Sequence, residues 1–296
     1  MLTPFPETGR VTVPPTLARE LLKAAERLPA YDNREFYSTE LQSQVRERIR
    51  AACPEGFDGL VGSVRERLAL RPYCALVEGL LFDDGNRLFV AINRAFGELV
   101  AGPYKAPRAQ LVHYIQPATD IASSRGGRES ERLHTDAADW HTPVEFISMV
   151  CVRADRGGGG RSRVLDVDSA REEVRGRMGA EALGLLETEP APWRLADHLG
   201  GGVSRRTVLS ESRMCWRRYT INLALEDEGA EVSEELLDAL DAFERTIEDA
   251  PSAVEFLMRE GELLFSDNTR TVHARTPITE GVSDRLMIRS WIRACC

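Results

Sequence analysis

The sequence predicts a mainly β fold with added helices (α+β), in which a double-sheet jelly-roll core, or double-stranded β-helix, follows a helical N-terminal part. From about residue 109, short apolar runs rich in strand-forming residues follow one another, separated by glycine-rich or polar stretches. Before residue 109, apolar residues recur at helical spacing. No GxGxxG or P-loop stands at a strand–helix turn, so nucleotide binding on a parallel sheet is not expected.

Residues 1–108 are expected to form a helical scaffold with one strand, Tyr73–Leu81. The helices are expected after Pro14-Pro15, from the capping box Thr39–Gln42, around 61–70 and around 88–99. Residues 109–296 are expected to form the jelly-roll core, with helical insertions near 169–188 and 233–250. The expected core strands are Gln110–Gln116, Glu145–Val152, Arg163–Val167, Arg213–Leu225, Glu262–Phe265 and Arg285–Ile292. Together, residues 1–296 are predicted to be one domain.

Composition and charge exclude several function classes. A hydrophobic content of 43% with 29% charged residues is typical of a globular protein with a sizeable core. The net charge of −9 argues against a nucleic-acid partner, which would require a basic patch. No apolar run approaches the roughly 20 residues that cross a bilayer, and Met1–Pro6 lacks the features of a signal peptide. We therefore expect a cytoplasmic protein without a membrane partner.

One histidine–carboxylate pair stands out as a metal-binding candidate. His134 and Asp136 are two residues apart at the start of a strand-like segment, so their side chains can point the same way. Alone, such a pair is more often a surface histidine near an acid. A second histidine, His273, follows the strand Glu262–Phe265 and a turn-like segment. Two histidines and one carboxylate form the facial triad of non-haem Fe(II) oxygenases, which leaves positions for a cosubstrate and O2.

Two arginines downstream strengthen the metal interpretation. Arg285 and Arg289 follow His273 and face the same way on one predicted strand. A dicarboxylate cosubstrate that chelates iron through its 2-oxo acid end needs a fixed cation for its distal carboxylate, and the arginine fork binds carboxylates bidentately. The alternative is that both arginines lie on a solvated face of an edge strand, which the upstream ligands make less favourable.

Three sequence blocks carry a resemblance to a known family. The first comprises His113–Pro117, Ser123-Ser124 and Leu133–Pro143, the second is Arg153–Ser162, and the third is Asp267–Thr276, closed by Arg285–Arg289. Together these blocks resemble the Fe(II)/2-oxoglutarate oxygenases of the taurine dioxygenase and clavaminate synthase-like superfamily. The resemblance covers about residues 110–293, and the helical N-terminal third matches only in general layout.

The resemblance implies a set of roles for individual residues. His134, Asp136 and His273 would be the catalytic Fe(II) ligands, with 2-oxoglutarate and O2 as cosubstrates. Arg285 would pair with the far carboxylate of 2-oxoglutarate, and Ser162 stands near the place of a family threonine whose hydroxyl bonds that carboxylate. Arg289 stands where relatives often hold the acidic group of their substrate. An amino acid or another small carboxylate or sulfonate is therefore the expected substrate.

The expected reaction is hydroxylation in specialised, natural-product metabolism. Halogenases on this scaffold replace the metal carboxylate with a small residue, so Asp136 disfavours halogenation, while desaturation and cyclisation stay open. Trp140 and His141 follow the metal motif and are candidates for the wall of the substrate pocket. Arg217 and Arg218 lie on a predicted strand that would turn one of them inward, and Arg218 is the substrate-binding candidate.

Two alternative functions remain open at the level of the sequence. A zinc-dependent hydrolase or lyase could use the same triad to activate water, but it would give Arg285 and Ser162 no role. A catalytically inactive jelly-roll binding protein would keep the fold without the reaction. The segment Ser123–Arg128 is a candidate for a mobile lid beside the site. The identity of the substrate and the oligomeric state cannot be read from the sequence.

Overall fold

Strands and helices form a mixed α/β structure in the computed structural model, which describes residues 4–32, 34–101, 111–116, 130–226, 228–278 and 284–294. The helices are Pro15–Glu26 (α1), Thr39–Ala52 (α2), Pro54–Leu68 (α3), Arg87–Arg94 (α4), Val167–Arg177 (α5), Ala180–Thr188 (α6), Arg218–Glu226 (α7) and Glu234–Glu248 (α8). The strands are Arg10–Thr12 (β1), Cys74–Glu78 (β2), Glu98–Val100 (β3), His113–Ile115 (β4), Phe146–Arg153 (β5), Ser162–Asp166 (β6), Ala191–Arg194 (β7), Val203–Arg206 (β8), Val254–Phe256 (β9), Leu263–Asp267 (β10), Thr271–Arg275 (β11) and Leu286–Arg293 (β12). Within these described ranges, no helix is long and apolar enough to cross a membrane.

The largest sheet has seven strands in the order β1-β2-β10-β5-β12-β3, and β4 also pairs with β12. Its pairs are antiparallel apart from β1 with β2. Strand β12 is bonded to β5 along one edge and to β3 and β4 along the other. Because both edges are paired, the side chains of β12 project from a backbone that is fixed on both sides.

Helices α1–α4 cover one face of this sheet. Each turns an apolar stripe towards it, so that Leu21, Ile49 and Phe89 join Phe265 and Ile292 of the sheet in one buried cluster. Full burial of each such side chain stabilises the fold by about 1.5–3 kcal/mol. The packing of this stripe, together with a proline at the start of α1 and the Ser38 cap of α2, accounts for helices in this part of the sequence.

A second sheet, in the order β11-β6-β9, packs against the other face of the large sheet. Val164 and Phe256 of the small sheet share a buried cluster with Leu76, Cys151 and Met287 of the large one. His273 of β11 lies opposite Val164 of β6 in the antiparallel register. Side chains at opposed positions project to the same face, so His273 belongs to the side of the small sheet on which Val164 lies.

Four predictions about the elements need correction. The described part of residues 1–108 holds three strands, β1, β2 and β3, where one was expected. The segment Arg213–Leu225 is not a strand, because helix α7 occupies most of it and buries Thr220, Ile221 and Ala224 at helical spacing. The helix expected over 88–99 ends at Arg94, and Leu99 lies in β3 instead. Strand β11, which carries His273, was not predicted. Helices α5, α6 and α8 stand where the two helical insertions were expected.

Candidate metal centre

His134, Asp136 and His273 meet where the loop after residue 130 runs beside β11. The backbones of His134 and His273 exchange two hydrogen bonds of 2.9 Å, from each N–H to the other's carbonyl. This pairing brings the two imidazole centroids to 4.6 Å. One potential ligand atom from each of the three residues lies within 4.8 Å of the others. The predicted triad is therefore assembled in space, although its members come from distant parts of the chain.

The loop that carries the first two ligands is fixed by buried hydrogen bonds. The Asp136 N–H donates to Asn268 Oδ1 at 3.0 Å, and Asn268 Nδ2 donates to the carbonyls of Asp136 at 3.0 Å and Val144 at 2.8 Å. On the other side, the Thr135 N–H donates to the Trp216 carbonyl at 2.6 Å, and the Trp216 N–H donates to Thr135 Oγ1 at 3.0 Å. The side chains of His134 and Asp136 are thereby held in place before any ion binds.

The protonation states suit metal binding. His134 Nδ1 lies 2.8 Å from the Arg132 carbonyl, an arrangement in which Nδ1–H donates and Nε2 remains available as a ligand. Burial lowers the pKa of His273 to about 3, and the neighbouring His134 adds to this effect. Burial alone would raise the pKa of Asp136, but Arg289 and the histidines outweigh it and place that pKa well below its usual value. At neutral pH the site offers a neutral His273 and a carboxylate, as a metal requires.

The two oxygens of Asp136 have different surroundings. Oδ2 accepts hydrogen bonds from Arg289 Nη1 at 2.9 Å and from Trp291 Nε1 at 2.8 Å. Oδ1 lies 3.6 Å from His134 Nε2. Two donors of β12 therefore hold one oxygen and orient the carboxylate. Arg289, expected at the acidic group of the substrate, bonds Asp136 in this structure.

The donor set fits a non-haem Fe(II) ion. Two imidazoles and one carboxylate are the ligands of the facial-triad oxygenases, and both rings bring Nε2 within 3.7 Å of an Asp136 oxygen. Among the residues that the structure describes, no fourth histidine, cysteine, aspartate or glutamate joins this group. A metal held by these three residues would keep coordination positions for other ligands.

Arg285 and Ser162 lie near the glycine turn that precedes β6. Both side chains are buried. Gly160 makes room for Arg285, because a Cβ on Gly160, whose φ is +63°, would lie 2.8 Å from Arg285 Nε. Ser162 stands two residues before Val164, a member of the cluster between the sheets, so by strand alternation it extends the same interior face.

The other residues considered for substrate binding lie in different surroundings. Trp140 is buried, and its ring stands edge-on to Trp291 at 5.6 Å, whereas His141 is exposed. Arg218 begins α7 and its Nη2 bonds Asp241 Oδ1 at 2.5 Å. Arg217 is half-buried and close enough to His273 to lower the pKa of that histidine. Ser123–Arg128, the predicted lid, lies outside the described residues.

Sequence reasoning gave no role to two residues that shape the centre. Trp291 reaches Asp136 across 155 positions of the chain, and Asn268 does so across 132. The Asp267-Asn268 pair already stood in one of the resembling blocks, which was a signal for Asn268. No local pattern in the sequence marks Trp291.

The sequence also matches a known family. The sequence model of the family described as "Taurine catabolism dioxygenase TauD, TfdA family" matches residues 65–291. No curated protein matches the sequence.

Solved oxygenase structures share the fold. Asparagine oxygenase with Fe(II), 2S,3S-3-hydroxyasparagine and succinate superposes with a TM-score of 0.76 at 19% identity, over 96% of this chain and 93% of the other. The non-haem iron oxygenase OrfP with Fe, succinate and (3R,4R)-dihydroxy-L-Arg gives 0.71 at 20% identity, over 97% and 94%. OrfP with Fe and α-ketoglutaric acid gives 0.69 at 20% identity over the same shares.

Proposed function

We propose that this chain, which belongs to the taurine catabolism dioxygenase TauD, TfdA family, hydroxylates an amino acid or similar small carboxylate. The chain is an oxygenase that depends on Fe(II), 2-oxoglutarate and O2. The observation that carries the proposal is the buried convergence of His134, Asp136 and His273. Desaturation or cyclisation of the same substrate would use the same centre.

In this proposal, metal binding and cosubstrate binding each have candidate residues. His134, Asp136 and His273 would hold the iron, and the bound metal with its cosubstrates would supply the oxidising chemistry. Arg285 would bind the far carboxylate of 2-oxoglutarate, since its guanidinium is buried beside Gly160, and Ser162 would donate a hydrogen bond to it. A zinc hydrolase would have no use for a buried arginine in this position.

The proposed architecture is a single jelly-roll domain. The seven- and three-stranded sheets would be the two faces of the roll, since residues of both meet in one buried cluster. Helices α1–α4 share a second cluster with the large sheet, which supports their inclusion in the same domain.

The substrate class is supported by the structural neighbours. Asparagine oxygenase was crystallised with a hydroxyasparagine, and OrfP with a dihydroxy-arginine, so both proteins bind hydroxylated amino acids. Their identities to this chain, 19% and 20%, are too low to transfer a particular side chain. An amino-acid-like small molecule is the class that we carry over.

Anaerobic titration of metal-free protein with Fe(II) and 2-oxoglutarate tests the proposal. A weak visible charge-transfer band should form and should be lost in His134→Ala. His198→Ala is the matched control, because His198 is exposed and outside the triad. Addition of O2 with an amino-acid panel should then release succinate in proportion to the product. Folded protein without the band would contradict the oxygenase assignment and favour the zinc hydrolase, which metal analysis and hydrolase assays would then examine.

A further inference from the structure

Two consecutive arginines beside the metal centre have different electrostatic environments. Arg218 is neutralised by Asp241, whose Oδ1 lies 2.5 Å from its Nη2. Arg217 makes no salt bridge with any residue in the described part of the chain, and its Nε is buried without a hydrogen-bond acceptor there. Arg218 therefore has a protein counter-ion, whereas Arg217, the residue before it, has none among the described residues.

The backbone fixes Arg217 close to the triad. It directly follows Trp216, whose N–H and carbonyl are both bonded to Thr135, the residue between the ligands His134 and Asp136. Arg217 is thus held by its backbone beside the loop that carries His134 and Asp136.

Three carboxylates near the centre already have partners. Asp136 accepts from Arg289 and Trp291, and Asp241 accepts from Arg218. On the same helix as Asp241, Glu248 accepts from Arg163 at 3.0 Å and from the N–H of Leu133 at 2.6 Å. Within the described ranges, no carboxylate forms a salt bridge with Arg217.

A buried donor without an acceptor is rare in folded proteins and calls for a partner. A guanidinium group that is half-buried, beside a metal centre and without a protein counter-ion, is suited to a carboxylate of a bound molecule, which its planar fork can bind through two hydrogen bonds. A bound molecule with a neutral amide in place of the carboxylate would keep only part of this interaction. A bound molecule with a cationic side chain would be repelled by Arg217.

We propose that Arg217 binds a second carboxylate of the substrate, so that this enzyme acts on an acidic amino acid or a closely related dicarboxylate. The inference rests on the proposed function, since it names the substrate class of the same site. It makes Arg217 the residue that selects an acid over the corresponding amide.

Calorimetry on anaerobic protein loaded with Fe(II) and 2-oxoglutarate tests this selectivity. The probes are aspartate, glutamate and 2-aminoadipate, and each is compared with its side-chain amide. Lysine is included as a cationic probe. At least one acid should bind about 10- to 100-fold more tightly than its amide, the range expected for hydrogen bonds to a charged group. Arg217→Gln should remove this preference, and Arg217→Lys should keep part of it. Arg213→Gln, which removes an equal charge from an exposed position of the same segment, should bind like the wild type.

The outcomes separate the two proposals. The charge-transfer band of Fe(II) with 2-oxoglutarate is measured first, and its absence in the wild type would overturn the proposed function and this inference together. With the band present in wild type and in Arg217→Gln, the inference alone is overturned by any of three results. These are that no acid binds better than its amide, that lysine binds best, or that Arg217→Gln keeps the wild-type preference.

Discussion

Replacing Trp291 with phenylalanine is expected to weaken metal binding without removing a ligand. Trp291 Nε1 donates to Asp136 Oδ2 at 2.8 Å from a buried position on β12. Phenylalanine keeps an aromatic ring there but removes the donor, so Oδ2 retains only Arg289. A hydrogen bond to a charged group contributes about 1.5–3 kcal/mol. Since about 1.4 kcal/mol is a factor of ten, the affinity for Fe(II) should fall about 10- to 100-fold.

Anaerobic competition between metal-free protein and a chromogenic chelator for Fe(II) measures this affinity directly. Trp140→Phe is the matched control, because that ring packs edge-on against Trp291 at 5.6 Å. Its Nε1, unlike that of Trp291, has no hydrogen-bond partner among the described residues. Both variants lose a similar part of a buried ring, and only one loses a bond to the metal carboxylate. Equal affinities in the two variants would refute the reasoning, since the ring and not the donor would then hold Asp136.

Two further substitutions test the supports of the centre. Asn268→Ala should lower the free energy of unfolding, measured in urea, by about 3 kcal/mol or more. The Asp136 N–H and two backbone carbonyls would each lose a buried partner, and each loss costs about 1–3 kcal/mol. A variant as stable as the wild type would contradict this. Gly160→Ala should weaken 2-oxoglutarate binding, measured by the charge-transfer band, and leave Fe(II) affinity nearly unchanged, because its Cβ would lie 2.8 Å from Arg285 Nε. Gly158 also has a positive φ, of +76°, and a Cβ there would meet open space. Equal losses in Gly158→Ala and Gly160→Ala would therefore indicate backbone strain instead of contact with Arg285.

The helical part of the fold was predictable because its signals are local. Helices α1 and α8 show apolar residues at helical spacing, and Ser233 caps α8 at the start of the expected insertion. The segment that became α7 was misread because Trp216, Tyr219 and Ile221 resemble a strand-forming run. Its helical conformation follows from burial of one face, which depends on packing against distant residues. Strand β11 is five residues long and gives too short a pattern to recognise.

The grouping of His134, Asp136 and His273 was predictable because their residue types are rare and chemically restrictive. The five histidines of the chain leave few ways to build a triad. The partners of the ligands were not predictable in the same way. Arg289 was expected at the acidic group of the substrate, but it bonds Asp136, and strand alternation cannot say which acid an arginine meets. That depends on the distance between β12 and the loop of Asp136, which only the folded chain sets.

A single strand links the two ends of the proposed cosubstrate site. Trp291 and Arg289 of β12 hold the metal carboxylate, and Arg285 precedes the same strand. At about 3.3 Å per residue, Arg285 and Arg289 are separated by at most roughly 13 Å of backbone, since the irregularity between Leu286 and Met287 can only shorten this path. From Met287 to Arg289 the strand is paired with β5 on one edge and with β4 on the other, so this part cannot move without breaking sheet hydrogen bonds. If Arg285 binds the far end of the cosubstrate as proposed, the paired part of β12 would set how far that end lies from Asp136.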